Sequence, residues 1–133
     1  TLASIAAHSD ASTVDIRKSG VAWLQLATRH ARSDQWARSF AAAESSVQLL
    51  ASIVATSERQ PTDALNFAEA ELLAISIQMK DGVETSVERL RQVELRLQNL
   101  KVAEAEGDAE VLSRTSSLLQ KCGRLIEAAS AAN

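Results

Sequence analysis

A chain of 133 residues is the length of one ordinary domain, and 46% hydrophobic against 23% charged residues is a globular composition that needs neither disulfide nor metal to hold a core. The net charge of −3 excludes the strongly basic footprint of a nucleic-acid binder, and no apolar run approaches the ~20 residues of a membrane-spanning helix. One cysteine, Cys122, excludes an intramolecular disulfide and a cysteine-based zinc cluster.

Four glycines and one proline punctuate a chain dominated by alanine, leucine, serine, glutamate and arginine, which predicts helices joined by short turns and no strands. The expected fold is all-α, five or six antiparallel helices in a single domain over residues 1–133. That span begins at Thr1 without a charged-then-apolar leader and is read as a fragment of a longer protein. A short apolar segment, Leu2–Ala7, comes first. Ser12 or Thr13 is then expected to cap a helix starting at Val14, with Ile16, Trp23 and Ala27 as one apolar row and Val21, Leu24 and Ala31 beside it.

Ser33 and Asp34 break that helix, and Asp34 is expected to cap the next one. There, Trp36, Phe40, Ala43, Val47, Leu50 and Val54 form a single stripe running five turns. Pro61 cannot continue it, and Thr62 or Asp63 is expected to cap a third helix carrying Leu65, Ala68, Leu72, Ile75 and Met79. Gly82 fits a left-handed residue at that helix's end. The fourth helix shows Leu90, Val93, Leu97 and Leu100 and ends near Gly107. Asp108 then caps a fifth, with Val111, Thr115, Leu118, Cys122, Leu125 and Ala129 inward. Many core-facing positions are alanine or serine, which predicts closely approaching helix axes.

The first hairpin carries a family pattern. Trp23, Leu26, Ala27 and His30 stand where a tetratricopeptide repeat has its first-helix aromatic, leucine-small pair and second aromatic. Asp34 takes the turn place, Trp36 the aromatic after it, and Ser39, Ala43 and Ser46 the packing places of the second helix. Over about thirty residues the chain resembles a degenerate, elongated member of that helical-repeat group, with Ala74, Ile75 and Gly82 as a weaker second match. Helix starts near 14, 63 and 108 give a two-helix period of roughly 45 to 49, against 34 for the standard repeat. The resemblance implies stacked helical hairpins acting as a protein-binding scaffold without chemistry of their own. A closed antiparallel helix bundle, sensing a small ligand or serving as a secretion-type chaperone, satisfies the same periodicity.

No constellation supplies a nucleophile, base and oxyanion donors together, so no enzyme and no cofactor is expected. His30 and Asp34 are close enough to pair across the turn, which makes them structural. Cys122 sits on an apolar stripe and is expected to be inert, while Glu69, Glu71, Glu84, Glu88, Glu104 and Glu106 are expected to be solvated. Arg29, Arg32 and Arg38 flank the first turn, and guanidinium forks bind carboxylates well. These three are the partner-binding candidates, for a helix or acidic segment of another protein or a second copy. No nucleic acid or membrane insertion is expected. The unpaired thiol favours the cytoplasm or another reducing compartment, with an extracytoplasmic sensor as the alternative.

Overall fold

The structure, a computed structural model, describes residues 10–56, 59–83, 87–103 and 108–132. They form five α-helices: α1 (Asp10–Arg32), α2 (Trp36–Val54), α3 (Pro61–Lys80), α4 (Val87–Ala103) and α5 (Ala109–Ala132), with no strand among the described residues. The all-α expectation holds. The apolar segment Leu2–Ala7, Glu84, Glu104, Glu106 and Gly107 lie outside the described residues.

Each helix packs against the next in sequence, and α3 also meets α1 and α5. Among the described residues, neither α1 nor α2 makes an extensive contact with α4 or α5. The centre of the molecule is therefore α3. Its sequence shows why, since Leu65, Ala68, Ala70, Leu72, Ala74, Ile75 and Ile77 point in every direction around the axis and all are buried. One core cluster joins α3 to α4 and α5 through Leu72, Ile75, Leu90, Leu97 and Leu118, among others. A smaller one, built on Ala27, Ala42, Ala43 and Ala74, joins α1, α2 and α3.

The α1–α2 pair is closely approached, as its small residues predict. The Ser39 hydroxyl donates to the Ala27 carbonyl at 2.7 Å and the Ser46 hydroxyl to the Gly20 carbonyl at 2.7 Å, so two α2 side chains bond the α1 backbone directly. A Cβ at Gly20 would stand 2.7 Å from Leu50 Cδ2. Serine is tolerated in this interface because each hydroxyl has an acceptor, which a buried hydroxyl requires.

Two helical faces differ from their expected rows. On α1 the buried residues are Gly20, Leu24 and Ala27, and Trp23 is 40% exposed, so Trp23 is not a wedge in the hairpin. On α2 the buried row is Ser39, Ala42, Ala43, Ser46, Leu50 and Ile53, while Trp36, Phe40, Val47 and Val54 are half-buried. Both shifts have one cause. Close axial approach places the smallest residues at the contact line and pushes bulky ones to its flanks.

The turns also correct the expected caps. Helix α1 begins at Asp10, leaving Thr13 inside it, and α3 begins at Pro61, whose missing N–H suits the first helical position. Gln60 is the residue before α3, and its N–H donates to Asp63 Oδ2 at 2.8 Å. Gly82 ends α3 as expected, with φ 76° and Val83 N–H donating to the Gln78 carbonyl at 2.9 Å. Asp108 caps α5, its Oδ1 accepting from Glu110 N–H at 2.8 Å.

Asp34 is not a cap for α2. It is the left-handed residue that ends α1, with φ 58°, and Gln35 N–H donates to the His30 carbonyl at 2.8 Å. A Cβ in that conformation costs free energy that glycine avoids. Asp34→Gly is therefore expected to raise stability by about 0.5–1 kcal/mol, a gain of about 2–4 °C in Tm by differential scanning calorimetry.

Candidate functional site: the α1–α3 groove

The side of α1 that is turned away from α2 carries Val21, Gln25, Thr28, Arg29 and Arg32 at helical spacing. Across from them, α3 presents Asn66 and Glu69, and together these residues line an open groove of about 470 Å³ with Leu24 in its wall. Helix α5 reaches the α3 side of this groove through Arg114. Arg114 reaches back over α3, donating from Nη2 to Asn66 Oδ1 at 3.0 Å and pairing with Glu69 Oε2 at 3.4 Å. A smaller depression between Thr62 and Leu65 of α3 and Glu110, Val111 and Arg114 of α5 continues the same face.

The charge balance along this groove is decided by what is already paired. Glu69 contributes the negative charge, and Arg114 neutralises it. Arg29 and Arg32 are exposed, and neither has an ion-pair partner among the described residues. Positive charge is thus left at the α1 side. Arg38 does not join them: it lines a separate shallow depression with Gln35, Trp36 and Ala37 on the first turn of α2. The three arginines that flank one turn in sequence belong to two places.

His30 and Asp34 do not pair. His30 Nδ1 bonds Gln35 Oε1 at 2.9 Å, tying the end of α1 to the residue before α2. Trp36 is covered by Lys80, whose Nζ lies 4.7 Å from the ring centroid.

Asn66, Glu69 and Arg114 were not legible as site residues. Their spacing held a usable signal, because 48 residues separate Asn66 from Arg114 and helix starts repeat at nearly that interval. Residues one period apart share a face.

Glu69 and Glu71, both expected to be solvated, are engaged, and so is Asp63, expected only as a cap. Glu71 is buried, paired with Arg96 and lying 3.7 Å from Arg89 Nε, so α3 and α4 are joined by charge as well as by leucines. Asp63 is fully buried and accepts from Arg17 Nε at 2.7 Å and Nη2 at 2.9 Å, a fork across α1 and α3.

Cys122 is buried and its Sγ–H donates to the Leu90 carbonyl at 3.3 Å. Burial, with the nearby Glu94 carboxylate adding to it, pushes the thiol up from 9.0 to about 11. The reactive thiolate is scarce at neutral pH. In a thiol-exchange assay with a disulfide reagent at pH 8, Cys122 is expected to react only as fast as the chain opens and at full rate in denaturant. Because the folded pKa is the higher one, this thiol's contribution to stability is complete below pH 9 and is lost as pH rises through about 11.

Among the described residues, no three or more histidine, cysteine or acidic side chains gather as a metal site, and no helix is long and apolar enough to cross a membrane. No protein-family model, no curated protein and no solved structure matches the chain.

Proposed function

We propose that the chain is a non-enzymatic protein-interaction module, built on tetratricopeptide-like stacked hairpins, that takes an acidic helix or extended segment of a partner along the α1–α3 groove. The observation that carries this reading is the charge balance of that groove. Glu69 is neutralised by Arg114, while Arg29 and Arg32 stand exposed beside the apolar Val21 and Leu24. A partner carboxylate gains two guanidinium forks there, and apolar side chains beside it gain the groove wall.

The pattern of helix contacts supports the stacked arrangement over a closed bundle. In a stack, each first helix packs on its own partner helix, on the next hairpin and on the next first helix, which is how α1, α2 and α3 meet and how α3, α4 and α5 meet. A closed four-helix bundle would bring the first and last helices into extensive contact. Arg38 sits apart from the groove and has no part in this reading.

The test uses fluorescence anisotropy with two labelled peptides, one alternating glutamate and leucine, the other lysine and leucine. Binding of the acidic peptide is expected, falling steeply with salt, and the lysine peptide is not expected to bind. The double variant Arg29→Glu/Arg32→Glu should weaken the acidic peptide at least about tenfold with Tm unchanged, since both residues are exposed and unpaired among the described residues. Equal binding of both peptides, or binding insensitive to the double variant, would remove the groove from consideration.

A further inference from the structure

A second concavity lies on the other side of α3, between the C-terminal end of α2 and the C-terminal half of α4. It measures about 400 Å³ and its walls are Val54 of α2, Phe67 and Ala68 of α3, and Leu97 and Leu100 of α4. Helices α2 and α4 make no extensive contact with each other across it. Along α3 the lining runs only from Ala64 to Ala68, about one helical turn or ~6 Å. That length is too short to seat a partner helix lengthwise, while the volume falls in the range of small-ligand sites.

Two guanidinium groups border this apolar space, and they are in different states. Arg96 is stacked over Phe67 with its carbon 4.6 Å from the ring centroid, and it is held by the buried Glu71. An anion placed at Arg96 would face that carboxylate. Arg59 is exposed at the opposite end, with Nη1 donating to the Thr56 carbonyl at 3.2 Å. Its fork keeps further N–H groups, since a guanidinium carries five.

We propose that this groove binds a small amphipathic carboxylate, an aromatic or branched aliphatic acid, with its apolar body against Phe67, Leu97 and Leu100 and its carboxylate on Arg59. The site is separate from the α1–α3 groove and does not depend on peptide binding there. Recognition divides in two: the apolar walls supply affinity for the body, and Arg59 discriminates the acid from a neutral molecule of the same shape.

The experiment titrates the isotopically labelled chain with 4-phenylbutyrate and, separately, with the isosteric 4-phenyl-1-butanol, following amide shifts by NMR. Saturable shifts confined to residues around Val54, Phe67, Ala68, Leu97 and Leu100 are expected for the acid, with the alcohol binding at least about tenfold more weakly. Arg59→Gln should bring the acid down to the alcohol's affinity while leaving the alcohol unchanged. Ala64→Phe, which fills the groove, should abolish both, and circular dichroism checks that this variant folds; Arg59→Gln, at an exposed position, decides the matter if it does not. The proposal is overturned if the alcohol binds as well as the acid, if Arg59→Gln leaves the difference intact, or if no saturable shift appears by about 10 mM. It is equally overturned if the chain dimerises by sedimentation and Ala64→Phe renders it monomeric, because a second copy would then fill the space.

Discussion

Asp63→Ala is expected to cost about 3–5 kcal/mol of unfolding free energy, measured by urea denaturation at neutral pH, because it removes the buried carboxylate that the Arg17 fork grips and the acceptor of the Gln60 N–H. Three donors converge on this carboxylate: the two arms of the Arg17 fork and the Gln60 N–H that opens α3. Arg17 retains 21% side-chain exposure, so part of its charge can be rehydrated and the loss belongs at the lower end of that range. The paired replacement Arg17→Met/Asp63→Leu should cost clearly less than the sum of its single changes. Buried ion pairs are expensive to break by one partner and cheap to replace whole. An additive double variant would show that the fork contributes no coupling between α1 and α3.

Gly20→Val carries the second large effect, about 2–3 kcal/mol of destabilisation. Alanine alone would set its Cβ 2.7 Å from Leu50 Cδ2 and 2.8 Å from Cγ, and Leu50 is fully buried with nowhere to turn. Valine adds two methyl groups to that collision. Forcing the helices apart would also lengthen the Ser46 hydroxyl bond to the Gly20 carbonyl, now 2.7 Å. Leu50→Ala by itself should cost about 2–5 kcal/mol through the cavity it leaves. Combined with Gly20→Val, the two should cost less than their sum, since the added methyls enter the vacated space. Full additivity in chemical denaturation would mean the close approach at Gly20 is not what limits the residue there.

Which features were legible in the sequence follows from how each is encoded. Leu90, Val93 and Leu97 of α4, and Val111, Thr115, Leu118 and Cys122 of α5, are buried as their spacing predicts, because those helices are apolar on one side and polar on the other. Trp23 misled for the opposite reason. In α1 and α2 the contact line is built from glycine, alanine and serine, residues that hydropathy scarcely weighs, so the aromatic positions looked like the core and are its flanks. Glu71 and Asp63 were hidden because their partners are 25 and 46 residues away, and a carboxylate's burial depends on a long-range partner that local pattern does not show. The arginines were found and their grouping was not. Arg29 and Arg32 face α3 while Arg38, six residues on and across a left-handed turn at Asp34, faces elsewhere.

The all-round burial of α3 sets how the molecule can open. Both core clusters run through this helix, one by Leu65, Leu72 and Ile75, the other by Ala74 and Leu73. Releasing α5, or the α1–α2 pair, breaks one cluster and leaves the other standing. Releasing α3 breaks both together, so no partial opening frees it alone. Its backbone amides are expected to exchange only through full unfolding, and those of the outer helices through cheaper local openings. A partner that bridges α1 and α3 would therefore hold a movable wall against a fixed one.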